Sequence, residues 1–138
     1  MRIIGLDLGS RTLGIAISDE LQMLARALET YRFPDDRYDL AIQYTIDICN
    51  KEKVKTVVLG LPKHMNGDCG IRAQISFDFK AKIEEKSDIN VILLDERLTT
   101  SLVDRAMLEG NVKRKDRRAK KDEMAAVVIL QNYLDRRR

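Results

Sequence analysis

The strongest constraint on this chain is a pair of apolar runs at its start. Arg2 to Gly9 carries Ile3, Ile4, Leu6 and Leu8, and Thr12 to Ser18 is built from β-branched and small residues. Gly9, Ser10 and Arg11 between them are short enough for a hairpin. The first run reads as a buried strand and the second as its antiparallel partner. Leu24 to Tyr31 reads as a third, weaker strand. Pro34 and the acids after it end that segment, and the spacing of Leu40, Tyr44 and Ile48 predicts a helix from about Asp36 to Glu52. Val54 to Gly60 is a continuous apolar run, the pattern of a strand buried on both faces. Leu61 to Gly70 reads as loop, with Pro62, Asn66, Gly67 and Gly70 as breakers. Ile71, Ile75, Phe79 and Ile83 mark one helical stripe. Asn90 to Leu94 reads as another buried strand. Ser101 with Asp104 resembles a capping box, with Gly110 as terminator. Asp122 to Leu134 reads as a last helix. A hairpin followed by strands with helical crossovers implies an α/β fold, a mixed sheet of five strands covered by helices.

No linker or repeat divides the chain, and its 138 residues fit one domain, 1–138. With 44% hydrophobic and 34% charged residues the composition is that of a globular protein and excludes disorder. No apolar run approaches the roughly 18 residues of a membrane span, and the start lacks a secretory signal. Cys49 and Cys69 show no CxxC spacing and read as reduced thiols, so a cytoplasmic protein is expected. A single histidine, His64, excludes a multi-histidine metal site, so any metal must sit on carboxylate oxygens. Between Lys113 and Lys121, seven cations (Lys113, Arg114, Lys115, Arg117, Arg118, Lys120, Lys121) face one acid, Asp116, while the rest of the chain is net negative. Such a block implies an anionic partner, nucleic acid first. The competing reading is a solvated loop of like charges.

Acids occupy three unusual places. Asp7 lies inside the first apolar run, near the carboxyl end of its strand, where open α/β sheets build their sites. A buried carboxylate there needs a partner or a metal; the alternative is a tether for the following turn. Asp95 and Glu96 directly follow a buried strand, and one of them could instead pair with Arg97. Asp122 opens the predicted last helix, with Ala126, Ile129 and Tyr133 on the same side; the alternative is a helix cap. Asp7, Glu96 and Asp122 together form an all-oxygen set suited to Mg²⁺ or Mn²⁺. Two such ions would stabilise the attacking and leaving oxygens of a phosphodiester hydrolysis.

Four blocks in order carry a resemblance: GLDLGSRTLGIAISD from Gly5, VVLGLPKHMNG from Val57, LLDERLTT from Leu93 and KKDEMAAVVILQNYL from Lys120. The chain resembles the YqgF family of bacterial ribonuclease H-like proteins, also described as RuvX-type Holliday junction resolvases and pre-16S rRNA nucleases. The resemblance implies a ribonuclease H-like fold with strand order 3-2-1-4-5, helices on both faces and a metal-dependent nuclease, with two ions of Mg²⁺ or Mn²⁺. The family's three acids fall on Asp7, Glu96 and Asp122. The chain departs from the family loop GLPxNMDG at His64 and Asn66. It also has Gly60 and Leu61 where the wider superfamily usually places an acid, so Glu96 must serve from the next strand.

Three function classes compete. In a nuclease, the three acids are catalytic and metal-binding, while Arg11, Arg97 and the Lys113 to Lys121 block hold phosphates without reading bases. Its substrate would be structured RNA at the 5′ side of pre-16S rRNA, or a four-way DNA junction. Symmetric resolution of a junction needs two sites, hence a dimer; a monomer or weak homodimer is expected. In a binding module, the basic block grips RNA and the acids are structural. In a phosphate-binding ATPase of the actin and sugar-kinase type, the Gly9 to Thr12 turn would wrap phosphates, but such proteins resemble two domains in tandem.

Overall fold

The computed structural model describes residues 1–61, 68–95 and 114–136, with the backbone alone for 68–69, 95 and 114–123. The apolar runs at the start become β1 (Ile4–Leu8) and β2 (Thr12–Ser18), paired antiparallel from Ile4↔Ile17 to Leu8↔Leu13. The weak third strand is β3 (Ala25–Arg32), with a register irregularity opposite Ile15 and Ala16. Then follow α1 (Tyr38–Glu52), β4 (Thr56–Leu61), α2 (Asp68–Lys86), β5 (Asn90–Asp95) and α3 (Arg114–Arg136). The sheet runs β3-β2-β1-β4-β5, with β1, β4 and β5 parallel, as expected from the sequence.

Strand alternation divides the core in two. Ile4, Leu6, Leu8, Leu13, Ile15, Ile17, Val57, Leu59 and Val91 face α1 and α2, where they meet Ile42, Ile46, Phe79 and Ile83. Ile3, Ala16, Val58 and Leu94 face α3 and meet Ala126, Ile129, Leu130 and Leu134. A strand buried from both sides can carry apolar residues at every position, which is why β4 reads as an unbroken apolar run. The outer edge of β5 is blunted by a side chain, since Val91 N–H donates to Glu84 Oε2 at 3.0 Å.

Several boundaries depart from the sequence reading. Leu61 belongs to β4, and α2 begins at Asp68; residues 62–67 of the expected loop, His64 among them, lie outside the described residues. The inward faces of α1 and α2 centre on small residues as well as large ones. On α1 the buried set is Ala41, Ile42, Thr45, Ile46, Ile48 and Cys49, so Leu40 and Tyr44 flank the stripe. On α2 it is Ala73, Ser76, Phe79 and Ile83, and Ile71 is 63% exposed. Small residues let the helices approach the sheet closely, and a reading based on bulky side chains misses them. The expected helix after Ser101 lies outside the described residues.

The largest correction concerns the last helix. It begins at Arg114, two turns before Asp122, and takes in most of the basic block. Arg, Lys and Ala are strong helix formers, so the segment continues the helix instead of forming a solvated loop. Asp122 is therefore in the helix interior, and the capping role expected of a helix-opening Asp does not apply. Among the described residues no helix is long and apolar enough to cross a membrane.

Candidate active site

Asp7 sits one residue before the end of β1, on the side of the sheet that α3 covers. Its cross-strand partner on β2 is Gly14. On the other side, Leu6 pairs with Leu59, so one further step sets Asp7 beside Gly60, which itself pairs with Leu94. Asp7 thus has a glycine on each neighbouring strand. Asp7 is half-buried, with a glycine in place of a side chain beside it on each adjacent strand. Its carboxylate supplies the hard oxygen donors that a small divalent cation takes.

The path of α3 is set by contact with β1. A Cβ on Gly5 would lie 2.6 Å from Leu130 Cβ and 3.1 Å from the Ala126 carbonyl oxygen, so helix and strand touch backbone to backbone there. Nearer its end, α3 is tied to the start of β3, where Gln131 Oε1 accepts from Ala25 N–H at 2.9 Å and Gln131 Nε2 donates to the Met23 carbonyl at 3.0 Å. Ala25 pairs with Ser18, whose N–H donates to the Ile3 carbonyl. From Gln131 back to Ala126, the helix therefore advances along β1 from Ile3 toward Gly5. Asp7 lies two residues beyond Gly5, about 6.6 Å at the strand rise. Asp122 lies one turn before Ala126, about 6 Å at the helix rise. The two backbones advance by similar amounts toward the same end of the sheet.

Asp95 closes β5 in register with Leu61. Glu96, Arg97 and Lys113 lie outside the described residues. The side chains of Asp122, Arg114, Lys115, Arg117, Arg118, Lys120 and Lys121 lie outside them too. Among the described residues no group of three or more His, Cys, Asp or Glu side chains is arranged to hold a metal. Arg11 is in the β1–β2 turn and exposed, with Nε 3.5 Å from Asp35 Oδ1. An exposed pair of this kind contributes little and leaves the guanidinium accessible to phosphate.

The turn after Asp7 is held from several directions. Gly9 N–H donates to the Thr12 carbonyl at 2.7 Å, Phe33 N–H to the Arg11 carbonyl at 2.9 Å and Asp36 N–H to the Ser10 carbonyl at 2.9 Å. Arg72, in the second turn of α2, donates from Nη2 to the Leu8 carbonyl at 2.7 Å. Tyr38 stands close by: burial first, then its hydrogen bond to Asp36, push its phenol above the ordinary value, while the Arg72 charge works against them. Sequence reasoning passed over Arg72. The available signal was a cation near a helix N-terminus, where the macrodipole disfavours positive charge.

A family model described as "RuvX: Holliday junction resolvase" matches residues 1–136. A protein of Geobacillus kaustophilus named "Putative pre-16S rRNA nuclease" is 46% identical over 138 residues, covering all of both chains. One of the same name from Lactococcus lactis subsp. cremoris is 46% identical over 134 residues, covering 97% of this chain and 94% of its own. Among solved structures, T. thermophilus RuvC in complex with a Holliday junction substrate superposes with a TM-score of 0.68 at 13% identity, covering 99% of this chain and 95% of that one. The fowlpox virus Holliday junction resolvase gives 0.62 at 13% identity, covering 99% of each. At that identity the likeness is one of fold, the ribonuclease H-like fold expected from the sequence.

Proposed function

The chain belongs to the RuvX family of Holliday junction resolvases, and from that membership we propose that it hydrolyses phosphodiester bonds in structured nucleic acid, at the 5′ end of pre-16S rRNA. The observation that carries the reading is the course of α3. Anchored on Gly5, it leads toward the end of β1 where Asp7 stands between Gly14 and Gly60. Asp7, Glu96 and Asp122 are the residues that would hold one or two Mg²⁺ or Mn²⁺ ions. Bound there, such ions lower the pKa of water and stabilise charge on the attacking and leaving oxygens. The acids themselves fix where the phosphodiester is presented. Arg11, Arg97 and the cations from Lys113 to Lys121 neutralise flanking phosphates and hold the strand in register without reading its bases.

The relatives named for pre-16S rRNA support the RNA substrate. A ribosomal precursor as substrate would put this activity in the cytoplasm, with the chain acting as one domain and as a monomer or weak homodimer. A second reading, cleavage of four-way DNA junctions, is favoured by the family description; it needs two copies so that both strands are cut.

A side-by-side cleavage assay tests these readings. Precursor rRNA ends and synthetic four-way junctions are offered to the wild type and to Asp7→Asn, with and without Mn²⁺. The expected result is metal-dependent cutting of the RNA by the wild type and loss of cutting with retained binding in Asp7→Asn. A wild type that binds RNA and cuts neither substrate with Mn²⁺ would be an RNA-binding module.

A further inference from the structure

Arg72 is a cation that the nuclease reading leaves unused. It is half-buried in the second turn of α2, where neither the helix macrodipole nor burial favours a positive charge. Its Nη2 donates to the Leu8 carbonyl at 2.7 Å, which aims the head group at the end of β1. A peptide oxygen carries only a partial charge and engages one of the five N–H donors of a guanidinium. Among the described residues Arg72 forms no ion pair. The nearby Asp36 carboxylate accepts from the Tyr38 hydroxyl at 3.2 Å. Among those residues Arg72 is thus an oriented cation without a bonded counter-charge, and the carbonyl it grips is one residue along the backbone from Asp7.

We propose that Arg72 grips a phosphate of the bound strand at the carboxyl end of β1, a proposal that rests on the nucleic-acid reading of the same site. The planar fork suits this task, because one N–H is fixed by the protein while the others stay free to form paired bonds to phosphate oxygens. Its place complements the basic block. α2 covers one face of the sheet and α3 the other. A strand lying across the carboxyl end of β1 would meet Arg72 on the α2 side, while α3, whose backbone carries the basic block, covers the other face on which Asp7 stands.

The test is equilibrium binding without cleavage. A fluorescein-labelled RNA stem-loop and a labelled four-way DNA junction are titrated in EDTA across a range of KCl concentrations. The proteins are the wild type, Arg72→Gln and Arg72→Lys. Glutamine keeps a donor for the Leu8 carbonyl and removes the charge, whereas lysine keeps the charge. Each phosphate that is no longer neutralised lowers the slope of log K against log salt by about 0.7 to 0.9. We expect that change in Arg72→Gln, with affinity about tenfold weaker at low salt, and a near wild-type slope in Arg72→Lys. Circular dichroism across the same KCl range confirms that each variant is folded, so that the slope reports binding alone. A wild-type slope in Arg72→Gln overturns the proposal. A wild type that binds here in EDTA and does not cut in the Mn²⁺ cleavage assay overturns only the hydrolytic reading, and one that binds neither probe overturns both.

Discussion

Replacing Gly5 by alanine puts a methyl carbon where the structure has no space for it. The new Cβ would be 2.6 Å from Leu130 Cβ and 3.1 Å from the Ala126 carbonyl oxygen. Carbon atoms in comfortable contact stand about 3.5–4.0 Å apart, so helix and strand must separate by about 1 Å. Overpacking of this kind costs about 1–3 kcal/mol. The upper end applies, because one obstacle is a helix carbonyl that cannot rotate away. At about 4 °C per kcal/mol for a domain of this size, Tm should fall by about 8–12 °C. In the proposed site the same movement would draw α3, and Asp122 with it, back from Asp7. A displacement of 1 Å at a catalytic group can cost on the order of 100-fold in rate. Urea unfolding followed by circular dichroism measures the first effect. Cleavage at a temperature where both proteins are folded measures the second. A control separates the close approach from general loss of packing: Leu130→Ala keeps its Cβ and cannot relieve Gly5→Ala, while Leu130→Gly removes the obstructing atom and should couple favourably in a double-mutant cycle. Stability within about 0.5 kcal/mol of wild type would refute the close approach. Normal turnover in a clearly destabilised Gly5→Ala would refute the role of α3 in the site.

Asp122→Ala should lower turnover by more than about 100-fold with little change in Tm, because alanine is the better residue in a helix interior; a large Tm loss with normal turnover would make Asp122 structural. Replacing Arg117, Arg118, Lys120 and Lys121 together by alanine should flatten the salt dependence of binding by about 0.7 to 0.9 for each phosphate these side chains neutralise. An unchanged slope would put the block outside the complex. Burial pushes the Cys49 thiol up to about 12, and burial with the Glu29 hydrogen bond pushes the Tyr44 phenol up to about 12. Both values are raised by folding, so the unfolded chain loses these protons first, near the ordinary 9.0 and 10.0. Their contribution is complete below about pH 9 and is lost as pH climbs toward 12. Urea midpoints should therefore fall through that window, and fall less in Cys49→Ala and Tyr44→Phe; identical profiles in all three would remove both groups as the cause.

Much of this molecule was legible as a string. Strand β2 falls where its β-branched run lies, β1 within the run from Arg2 to Gly9, and β4 and β5 overlap the apolar segments that double-sided burial permits, with ends shifted by one or two residues. Asp7 was conspicuous because a carboxylate is out of place in such a run. Helix faces were harder to read. Ala41, Thr45 and Cys49 on α1, and Ala73 and Ser76 on α2, face the sheet because they are small, and small residues give a weak periodic signal. The start of α3 was misjudged because a run of like charge suggests a loop, while the helix propensity of the same residues carries the helix through it.

Local preference and hydrophobic period therefore determined the strands, their order of appearance and the acid at the end of β1, since each depends on neighbours along the chain. Tertiary structure alone decided which residues meet across it. Gly5 is an ordinary strand glycine until Leu130, far away in sequence, leaves it no space for a side chain. Gly14 and Gly60 frame Asp7 only once three strands are in register. Arg72 is one more surface cation until the Leu8 carbonyl fixes its direction. The physical reason is the same in each case: steric exclusion and hydrogen-bond geometry act through space, and no local pattern along the chain records them.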